Sequence, residues 1–360
     1  MKAIDLFSGA GGMSLGFERA GFQVLAAFDH DPKHIETYST NFPTTLARTV
    51  DISKLTADFV YDLCGHRQDI DLVFGGPPCQ GFSVGGRRDV DDSRNSLLLE
   101  FARVVRELQP KAFIAENVEG ILGSKYHKII GQFYAEMSQA GYQMPDRPLV
   151  LNAADFNVPQ ARRRVFFVGV RRGHRLPPPP IPVFASADHE LRKPDVRAAI
   201  SDIPTLNSFD YLYEHDRFTG SLGQPTLYSA ELRKPRTGKK ASDIGGFLRT
   251  RHSDSVLERF ADTPAGSREP ISRFYRLAWN GVAPTLRAGT TYAMGKYMAP
   301  RPIHPVEHRV ITVREAARLH SYPDWFEFYA TKWYGFMQVG NSVPPLLSEA
   351  VARSVIQSFG

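Results

Sequence analysis

The first half of the chain alternates short apolar runs with segments of helical spacing. Apolar runs of strand length predict buried strands over residues 3–7, 24–28, 71–74, 112–115 and 165–170. Apolar positions that recur every three or four residues predict helices over residues 13–20, 32–41 and 97–108. Strands that alternate with helices favour an α/β fold, with an open, mostly parallel sheet and helices on both faces.

Residues 171–301 lack this periodicity. They begin with the prolines 177–180 and are rich in Gly, Pro, Arg and Tyr, which predicts a smaller, loop-rich domain with a few short strands. Helical spacing returns at residues 312–320, where Thr312 is a candidate N-cap and Glu315 completes a capping box. A last helix is predicted over 346–358. We predict a first domain over residues 1–172 and a second domain over 173–321, which includes the junction back to the first. Residues 322–360 are predicted to return to the first domain.

Composition narrows the class of protein. The 360 residues are 42% hydrophobic and 23% charged, which excludes a disordered or fibrous chain. Two cysteines exclude a disulfide scaffold and a Cys-rich zinc module, and they favour a reducing compartment. No apolar run approaches the about 20 residues of a membrane span, and the N-terminus has no apolar segment typical of a secretory signal. We therefore expect a cytoplasmic protein with no membrane contact.

The positive charge is concentrated in one segment. The chain carries 44 Lys and Arg against 38 Asp and Glu, a net charge of +6. Residues 171–301 hold 21 of those cations and 13 of the acids, so that segment is +8 and the remainder −2. A basic patch indicates a polyanionic partner. Solubility is the alternative explanation, and charge alone slightly favours it.

The glycine-rich turn at residues 7–12 lies between the first predicted strand and helix. Its glycines let the backbone approach a ligand, and the helix N-terminus favours a negative group. Asp29 ends the next strand, where a carboxylate can accept the ribose hydroxyls of a nucleoside cofactor. Asp51 is placed to contact an adenine amino group. A tight structural turn is the alternative explanation of the glycines.

Cys79 follows the predicted strand 71–74 in the segment PPCQGFS. Open sheets bind ligands at the carboxyl ends of their strands, and two prolines stiffen the chain before the thiol, which suits a nucleophile. Cys64 has apolar neighbours, and we predict a buried small hydrophobe there. A structural role is the alternative for Cys79.

Two further polar motifs follow. Glu116 ends the strand 112–115, where a carboxyl group can bind a polar substrate edge; a helix N-cap or a salt bridge at the sheet end is the alternative. In the run QARRR, side chains two apart share a face of an extended chain. Gln160, Arg162 and Arg164 can therefore point into one site while Arg163 points away, although a solvated basic run is the plainer explanation.

These motifs occur in a diagnostic order: FSGAGG, PPCQGFS, ENV, QARRR, TVREAARLHSYPD and QVGNSVPP. In this order they resemble the DNA cytosine-5 methyltransferases, over residues 5–345 apart from roughly 171–280. The resemblance implies a Rossmann-like methyltransferase fold, S-adenosylmethionine as cofactor, no metal, and double-stranded DNA as substrate. The family commonly has Glu where this chain has Asp29. The implied cofactor-binding residues are Phe7, Gly9, Ala10, Gly12, Asp29, His30, Asp51, Ile52, Pro78, Leu97, Asn341 and Ser342.

The resemblance also implies a mechanism. Cys79 would add to C6 of a cytosine flipped out of the duplex, Glu116 would bind its N3 and amino edge, and Arg164 would brace the base. Arg162 would support Cys79 or Glu116. A loop over residues 83–95 is expected to be mobile without DNA. The implied DNA-binding residues are Gln80, Ser83, Arg87, Arg88, Arg233, Arg236, Arg273 and Arg287, and Arg249, Arg251 and Arg276 are further candidates.

We expect a prokaryotic, monomeric enzyme that is paired functionally with a restriction endonuclease. Three alternatives stay open: a tRNA cytosine-5 methyltransferase, a catalytically silent DNA-binding relative, and a dinucleotide oxidoreductase. The long basic insertion favours DNA over tRNA. An oxidoreductase would explain the glycine turn and Asp29 but would leave the PPCQ motif without a role.

Overall fold

The structure of the chain is a computed structural model, and it describes six stretches of residues: 1–65, 69–78, 97–183, 193–236, 244–289 and 301–359. The whole of the predicted mobile loop, residues 83–95, lies outside these stretches. Five predicted site residues also lie outside them: Cys79, Gln80, Ser83, Arg87 and Arg88.

The chain divides into two compact units. The first comprises Met1–Asn152, Arg163–Pro182 and Leu347–Gly360, and the second comprises Ala153–Arg162 and Val183–Leu346. The predicted functional domains over 1–172, 173–321 and 322–360 stay a prediction.

Ten strands occur in the described residues: β1 (Lys2–Leu6), β2 (Gln23–Asp29), β3 (Leu46–Thr49), β4 (Leu72–Gly75), β5 (Ala112–Val118), β6 (Tyr142–Gln143), β7 (Leu149–Asn152), β8 (Gln160–Ala161), β9 (Arg163–Arg171) and β10 (Ala283–Pro284). The first unit contains one sheet in the order β3-β2-β1-β4-β5-β9-β6, with β7 also paired to β9. Strands β1 to β5 run parallel to one another, and β9 runs antiparallel to β5, β6 and β7. The predicted α/β fold with a mostly parallel sheet is confirmed.

Eleven α-helices occur in the described residues: α1 (Gly12–Arg19), α2 (Pro32–Asn41), α3 (Ala57–Leu63), α4 (Leu97–Leu108), α5 (His127–Gln139), α6 (Val196–Ile200), α7 (Leu227–Leu232), α8 (Asp254–Asp262), α9 (Val313–Leu319), α10 (Lys332–Asn341) and α11 (Pro345–Ile356). None of these described helices combines the length and apolar character that crossing a membrane requires.

The two faces of the sheet bury different helices. Successive side chains of a strand point to opposite faces. Val73 of β4 lies in the core cluster that also holds Phe101 of α4 and Phe133 of α5. The next residue, Phe74, stacks on Phe17 of α1 with ring centroids 4.2 Å apart. Helices therefore cover both faces, as the alternation of strands and helices predicted.

Strand β5 is longer than predicted. It continues past Ala115 because it pairs with the antiparallel strand β9, with Glu116 opposite Phe166 and Val118 opposite Arg164. The expectation that Glu116 ends its strand is therefore wrong by two residues. Glu116 and Asn117 are held in extended backbone near the carboxyl end of β5 instead of in a turn.

The second unit is built from short helices, turns and the two-residue parallel pair of β8 with β10. Helix α9 has the predicted capping box: Thr312 Oγ1 accepts from the backbone of Glu315, and the Glu315 carboxylate accepts from the Thr312 N–H at 2.6 Å. On the same helix, Arg318 is fully buried and pairs with Asp202 and Asp324, each at 2.6 Å. Because a buried cation needs partners, these two carboxylates stabilise Arg318 in the interior of the second unit.

Candidate functional site

The turn after β1 has an unusual backbone. Phe7, Gly9 and Gly11 have φ angles of 59°, 54° and 96°, in the left-handed region that favours glycine. At Gly11 a Cβ atom would lie 2.3 Å from the Phe42 ring, so packing also requires glycine there. At Gly9 no atom of the described residues lies within 4 Å of the Cβ position, which leaves the backbone open to a ligand. The Ser8 hydroxyl is buried without a hydrogen-bond partner in the described residues.

Asp29 organises this turn. Its carboxylate accepts from the Gly9 N–H at 2.8 Å through Oδ2 and from the Asp31 N–H at 2.9 Å through Oδ1, while His34 Nδ1 lies 3.3 Å from Oδ1. Burial alone would raise the pKa of Asp29, but hydrogen bonds from His30, His34 and the Asp31 backbone hold it well below its usual range. The carboxylate is therefore anionic at neutral pH, and Oδ2 has a lone pair for a further donor.

The predicted adenine contacts lie beside it. A hydrogen bond of 2.9 Å from Val50 N to Asp29 O joins the ends of β2 and β3. Asp51 follows and accepts from the Ser53 N–H at 3.0 Å and hydroxyl at 2.8 Å, which lowers its pKa. Ile52 is buried, and Arg103 donates to its carbonyl at 2.7 Å. The structure thus brings Gly9, Asp29 and Asp51 together at one edge of the sheet.

The chain before Cys79 is fixed by strand β5. Asn117 Nδ2 donates to the Pro77 carbonyl at 2.9 Å. A Cβ atom at Gly76 would lie 3.0 Å from Glu116 Oε2, so this carboxylate sits against the backbone three residues before the cysteine. Cys79 itself lies outside the described residues. Pro78 is partly buried, as is Leu97 at the start of α4.

Glu116 is paired with Arg164. Arg164 Nε lies 2.8 Å from Glu116 Oε1, and the two side chains are only 10% and 9% exposed. The salt bridge considered as the alternative role of Glu116 is therefore present. Their neighbours Arg163 and Glu119 form a similar pair on the surface, with side chains 56% and 47% exposed. The run QARRR alternates as predicted, because Gln160, Arg162 and Arg164 are buried while Arg163 is exposed.

Arg162 binds backbone carbonyls of the second unit. Its guanidinium donates to Leu286 O at 2.9 Å, Gly340 O at 2.6 Å and Ser342 O at 2.8 Å. At Gly340 a Cβ atom would lie 2.4 Å from the Ala288 backbone nitrogen, so glycine permits this close approach. Arg162 therefore fixes the backbone that carries Asn341 and Ser342. Asn341 is exposed and Ser342 is partly buried.

The candidate DNA-binding arginines differ in their surroundings. Arg273 and Arg287 are exposed, Arg233 pairs with Asp202, and Arg236 lies 4.9 Å from the Trp325 ring centroid. Two further candidates are buried. Arg276 donates to the carbonyls of Thr263 and Val306, and Arg249 donates to Asn207 and Tyr213. Because Arg249 and Arg276 are buried, their side chains are not available to read bases in a DNA groove.

Several polar residues at the sheet were not predicted from the sequence to have a role. Asn117 and His34 had no assigned role, although Asn117 belongs to the quoted ENV motif. Tyr38 donates to Ser14 at 2.7 Å and Ser14 to Asp5 at 2.6 Å, and burial raises the pKa of Asp5 well above its usual value. A carboxyl group within the apolar run of the first strand was the available signal for this network.

Cys64, the other cysteine of the chain, is half-buried. Cys64 packs at the margin of the core, and burial raises the pKa of its thiol. Within the stretches that the structure describes, no group of three or more His, Cys, Asp or Glu side chains is placed to hold a metal ion.

Related proteins cover the whole chain. The sequence profile of the family described as C-5 cytosine-specific DNA methylase matches residues 1–357. The chain is 46% identical over 370 residues to the Type II methyltransferase M.XorII of Xanthomonas oryzae pv. oryzae, covering 99% of this chain and 84% of that protein. It is 34% identical over 361 residues to the Type II methyltransferase M1.HphI of Haemophilus parahaemolyticus, covering 98% and 86%.

Solved structures of methyltransferases have a similar fold over the whole chain. An Escherichia coli structure, described as a DNA modification methyltransferase encoded within a prophage, matches with a TM-score of 0.83 at 36% identity, covering 100% of this chain and 99% of that one. The S. pombe Dnmt2 methyltransferase matches with a TM-score of 0.63 at 20% identity, covering 100% and 98%, which supports the fold alone. The chain belongs to the C-5 cytosine-specific DNA methylase family and is a DNA cytosine-5 methyltransferase.

Proposed function

We propose that this enzyme is the modification methyltransferase of a type II restriction–modification system, and that it methylates C5 of one cytosine within a specific duplex sequence. The similarity to M.XorII and M1.HphI along nearly the whole chain supports this role. The observation that carries the chemistry is the buried Glu116–Arg164 pair, which lies against the chain that leads to Cys79. The cognate endonuclease is a functional partner, and the protein acts as a monomer on DNA in the cytoplasm.

The glycine turn after β1 and the ends of β2 and β3 fit S-adenosylmethionine. When bound, this cofactor supplies an electrophilic methyl group on a sulfonium. Three features of the described residues suit a polar nucleoside: the open backbone at Gly9, the hydroxyl of Ser8 that has no partner among them, and the spare lone pair on Asp29 Oδ2. One free lone pair favours a single hydrogen bond from a ribose hydroxyl. We assign the cofactor to Phe7, Gly9, Ala10, Gly12, Asp29, His30, Asp51, Ile52, Pro78, Leu97, Asn341 and Ser342.

The proposed chemistry begins at Cys79. Its thiolate forms a bond to C6 of the cytosine, and the electron pair displaced from the C5–C6 double bond makes C5 nucleophilic. Glu116 binds the N3 and amino edge, where charge develops, and Arg164 holds Glu116 in place. Once C5 carries its methyl group, loss of the C5 proton and departure of the thiolate restore the ring. Arg162 contributes as a positioning residue through the backbone at Ser342.

Access to C5 requires base flipping, because the atom is stacked inside a duplex. We assign Gln80, Ser83, Arg87 and Arg88 to a loop that closes on the DNA. The second domain then recognises the sequence, with Arg233, Arg236, Arg273 and Arg287 as contacts. Equal protease resistance of the loop with and without DNA would contradict its closure.

The decisive experiment compares Cys79→Ser with the wild type on two substrates. Wild-type enzyme should transfer a labelled methyl group to duplex DNA and not to tRNA. Cys79→Ser should lose this transfer while it still binds the specific duplex. Transfer to tRNA alone would favour the RNA-modifying alternative, and an inactive wild type that binds DNA would favour the catalytically silent one. Full activity of Cys79→Ser would refute the covalent mechanism.

A further inference from the structure

Cationic side chains gather on one part of the second unit. We call Arg249, Arg251, Arg301 and Lys332 the basic cluster. Lys332 Nζ donates to the Arg249 carbonyl at 2.7 Å, and Arg301 Nη1 donates to Thr250 Oγ1 at 3.1 Å. Residues distant in sequence therefore converge on the segment 249–251.

Aromatic rings hold three of these cations. The guanidinium carbons of Arg249 and Arg251 lie 4.1 Å and 4.4 Å from the centroid of the same Tyr213 ring. The guanidinium carbon of Arg301 lies 4.3 Å from the centroid of Phe336. A ring face attracts a cation without neutralising its charge. The cluster is thus held in place and stays positive.

Carboxylates hardly compensate this charge. Neither Arg301 nor Lys332 forms an ion pair with a carboxylate of the described residues. Arg251 lies 3.8 Å from Glu214, with the two side chains 71% and 75% exposed. Arg249 lies 3.9 Å from Asp210, whose side chain is 94% exposed. Exposed pairs of this kind contribute little to stability.

The uncompensated positive charge of the cluster contributes to lowering the pKa of neighbouring groups. The pKa of Lys332 is lowered by burial and then by repulsion from Arg301 and Arg251. The pKa of His252 is lowered by burial and by repulsion from Arg301, Lys332 and Arg309. Burial lowers the pKa of Arg301 to about 10. By contrast Arg309, in the same unit, has Glu307 and Glu315 at 2.7 Å and 2.8 Å.

We propose that the basic cluster binds backbone phosphates of the duplex DNA substrate, with Arg251 and Lys332 as the phosphate ligands and Arg301 as their fixed support. This inference rests on the proposed function, because it requires duplex DNA as the substrate. Phosphate contacts position a protein on DNA without reading its sequence. The proposal thus takes Arg251 out of the base-reading candidates and adds Lys332, which the sequence did not single out.

Salt dependence tests the proposal. Each lost phosphate contact lowers the slope of log K against log salt by about 1. Arg251→Gln and Lys332→Gln should each reduce, by about threefold, the loss of DNA affinity between about 50 and 200 mM salt. Specific and non-specific duplexes should be affected equally, so their affinity ratio should not change. Lys332→Arg should restore the wild-type slope, and thermal melting should confirm that each variant is folded.

Two control variants sharpen the test. Arg217→Gln removes the same charge from the same unit, but Arg217 pairs with Glu327 at 3.4 Å and lies outside the cluster. Its slope should match the wild type. Glu214→Gln removes a competing carboxylate and should tighten DNA binding. A wild-type slope in Arg251→Gln and Lys332→Gln, or an altered ratio of specific to non-specific affinity, would overturn the proposal. Failure of the proposed function looks different, because wild-type enzyme would then not methylate duplex DNA at any salt concentration.

Discussion

Two buried carboxylates at the same edge of the sheet are held in opposite ways. Asp29 ends β2 and Glu116 lies near the end of β5, and the strands between them are parallel. Asp29 is 5% exposed and is surrounded by backbone N–H groups and imidazoles. Glu116 is 7% exposed and pairs with the guanidinium of Arg164.

The difference separates two uses of a negative charge. Several partial charges stabilise Asp29, and its hydrogen bonds shape the glycine turn. An amide in its place retains an oxygen that can accept from Gly9. Glu116 pairs with a full positive charge, so an amide there takes the carboxylate partner away from the buried guanidinium of Arg164. Removing the charge while keeping the shape should therefore be far more damaging at Glu116 than at Asp29.

Glu116→Gln is expected to have the largest effect. The variant cannot provide a carboxylate to the N3 and amino edge of the cytosine, and methyl transfer should fall by about 10²- to 10⁴-fold. Unfolding free energy should fall by about 1–3 kcal/mol because Arg164 loses its ionic partner. Single-turnover transfer of a labelled methyl group and urea unfolding measure the two effects.

The neighbouring surface pair is the matched control. Glu119→Gln breaks the exposed pair with Arg163, and exposed pairs contribute about 1 kcal/mol or less. Transfer should stay at the wild-type rate and stability should hardly change. Equal losses in Glu119→Gln and Glu116→Gln, or an active Glu116→Gln, would show that the buried pair has no special role.

Asp29→Asn should mainly affect the cofactor. We expect the Kd for S-adenosylmethionine to rise about tenfold, which corresponds to about 1.4 kcal/mol. At saturating cofactor the rate should be close to that of the wild type, so KM should change and kcat should not. Calorimetric titration and steady-state kinetics distinguish the two. An unchanged cofactor Kd would remove Asp29 from the binding residues.

The same substitution should alter acid stability. The folded pKa of Asp29 lies below the ordinary value of about 3.9, so its carboxylate stabilises the fold above that pH. This stabilisation is lost as the pH falls from about 3.9 towards the folded pKa. Asp29→Asn should therefore lose less stability than the wild type between about pH 5 and pH 3. Parallel pH profiles of the unfolding free energy for the two proteins would contradict this.

The sequence predicted the strongly patterned elements and missed the weakly patterned ones. Helix α4 has the predicted bounds, Leu97–Leu108, because a broad apolar stripe marks it. Helix α5 buries only Phe133 and Met137 fully, so its stripe is narrow. Strand β3 buries only Ala47. Pairing with neighbouring strands and packing on other helices stabilise these two elements, and a linear pattern does not contain that information.

Motifs indicated candidate site residues along the chain but did not predict the partners of their side chains. The alternation of Gln160, Arg162 and Arg164 followed from strand geometry. The carbonyls that Arg162 binds lie 124 to 180 residues away in sequence, at Leu286 and at the end of α10. Burial of Arg249 and Arg276 was equally invisible, because an arginine in a polar segment looks the same whether it binds carbonyls or DNA.

Asn117→Ala is expected to have the smallest effect, and it tests how β5 contributes to the chemistry beyond Glu116. The substitution removes the donor to the Pro77 carbonyl and should cost about 1 kcal/mol of stability. The chain before Cys79 then loses its anchor, so the thiol should be less well presented. Gln109→Ala is the matched control, because it removes an exposed amide-to-carbonyl hydrogen bond of 2.8 Å to Arg106.

Alkylation of the two thiols gives a readout besides activity. Cys64 should react slowly at neutral pH because burial raises its thiol pKa. Cys79 should react faster in the wild type and in Gln109→Ala, and more slowly in Asn117→Ala, whereas Cys64 should react alike in all three. If Asn117→Ala lowered methyl transfer but left the alkylation rate of Cys79 unchanged, the loss would lie in Glu116 and base binding. Asn117 would then be a positioning residue for the carboxylate and not for the thiol.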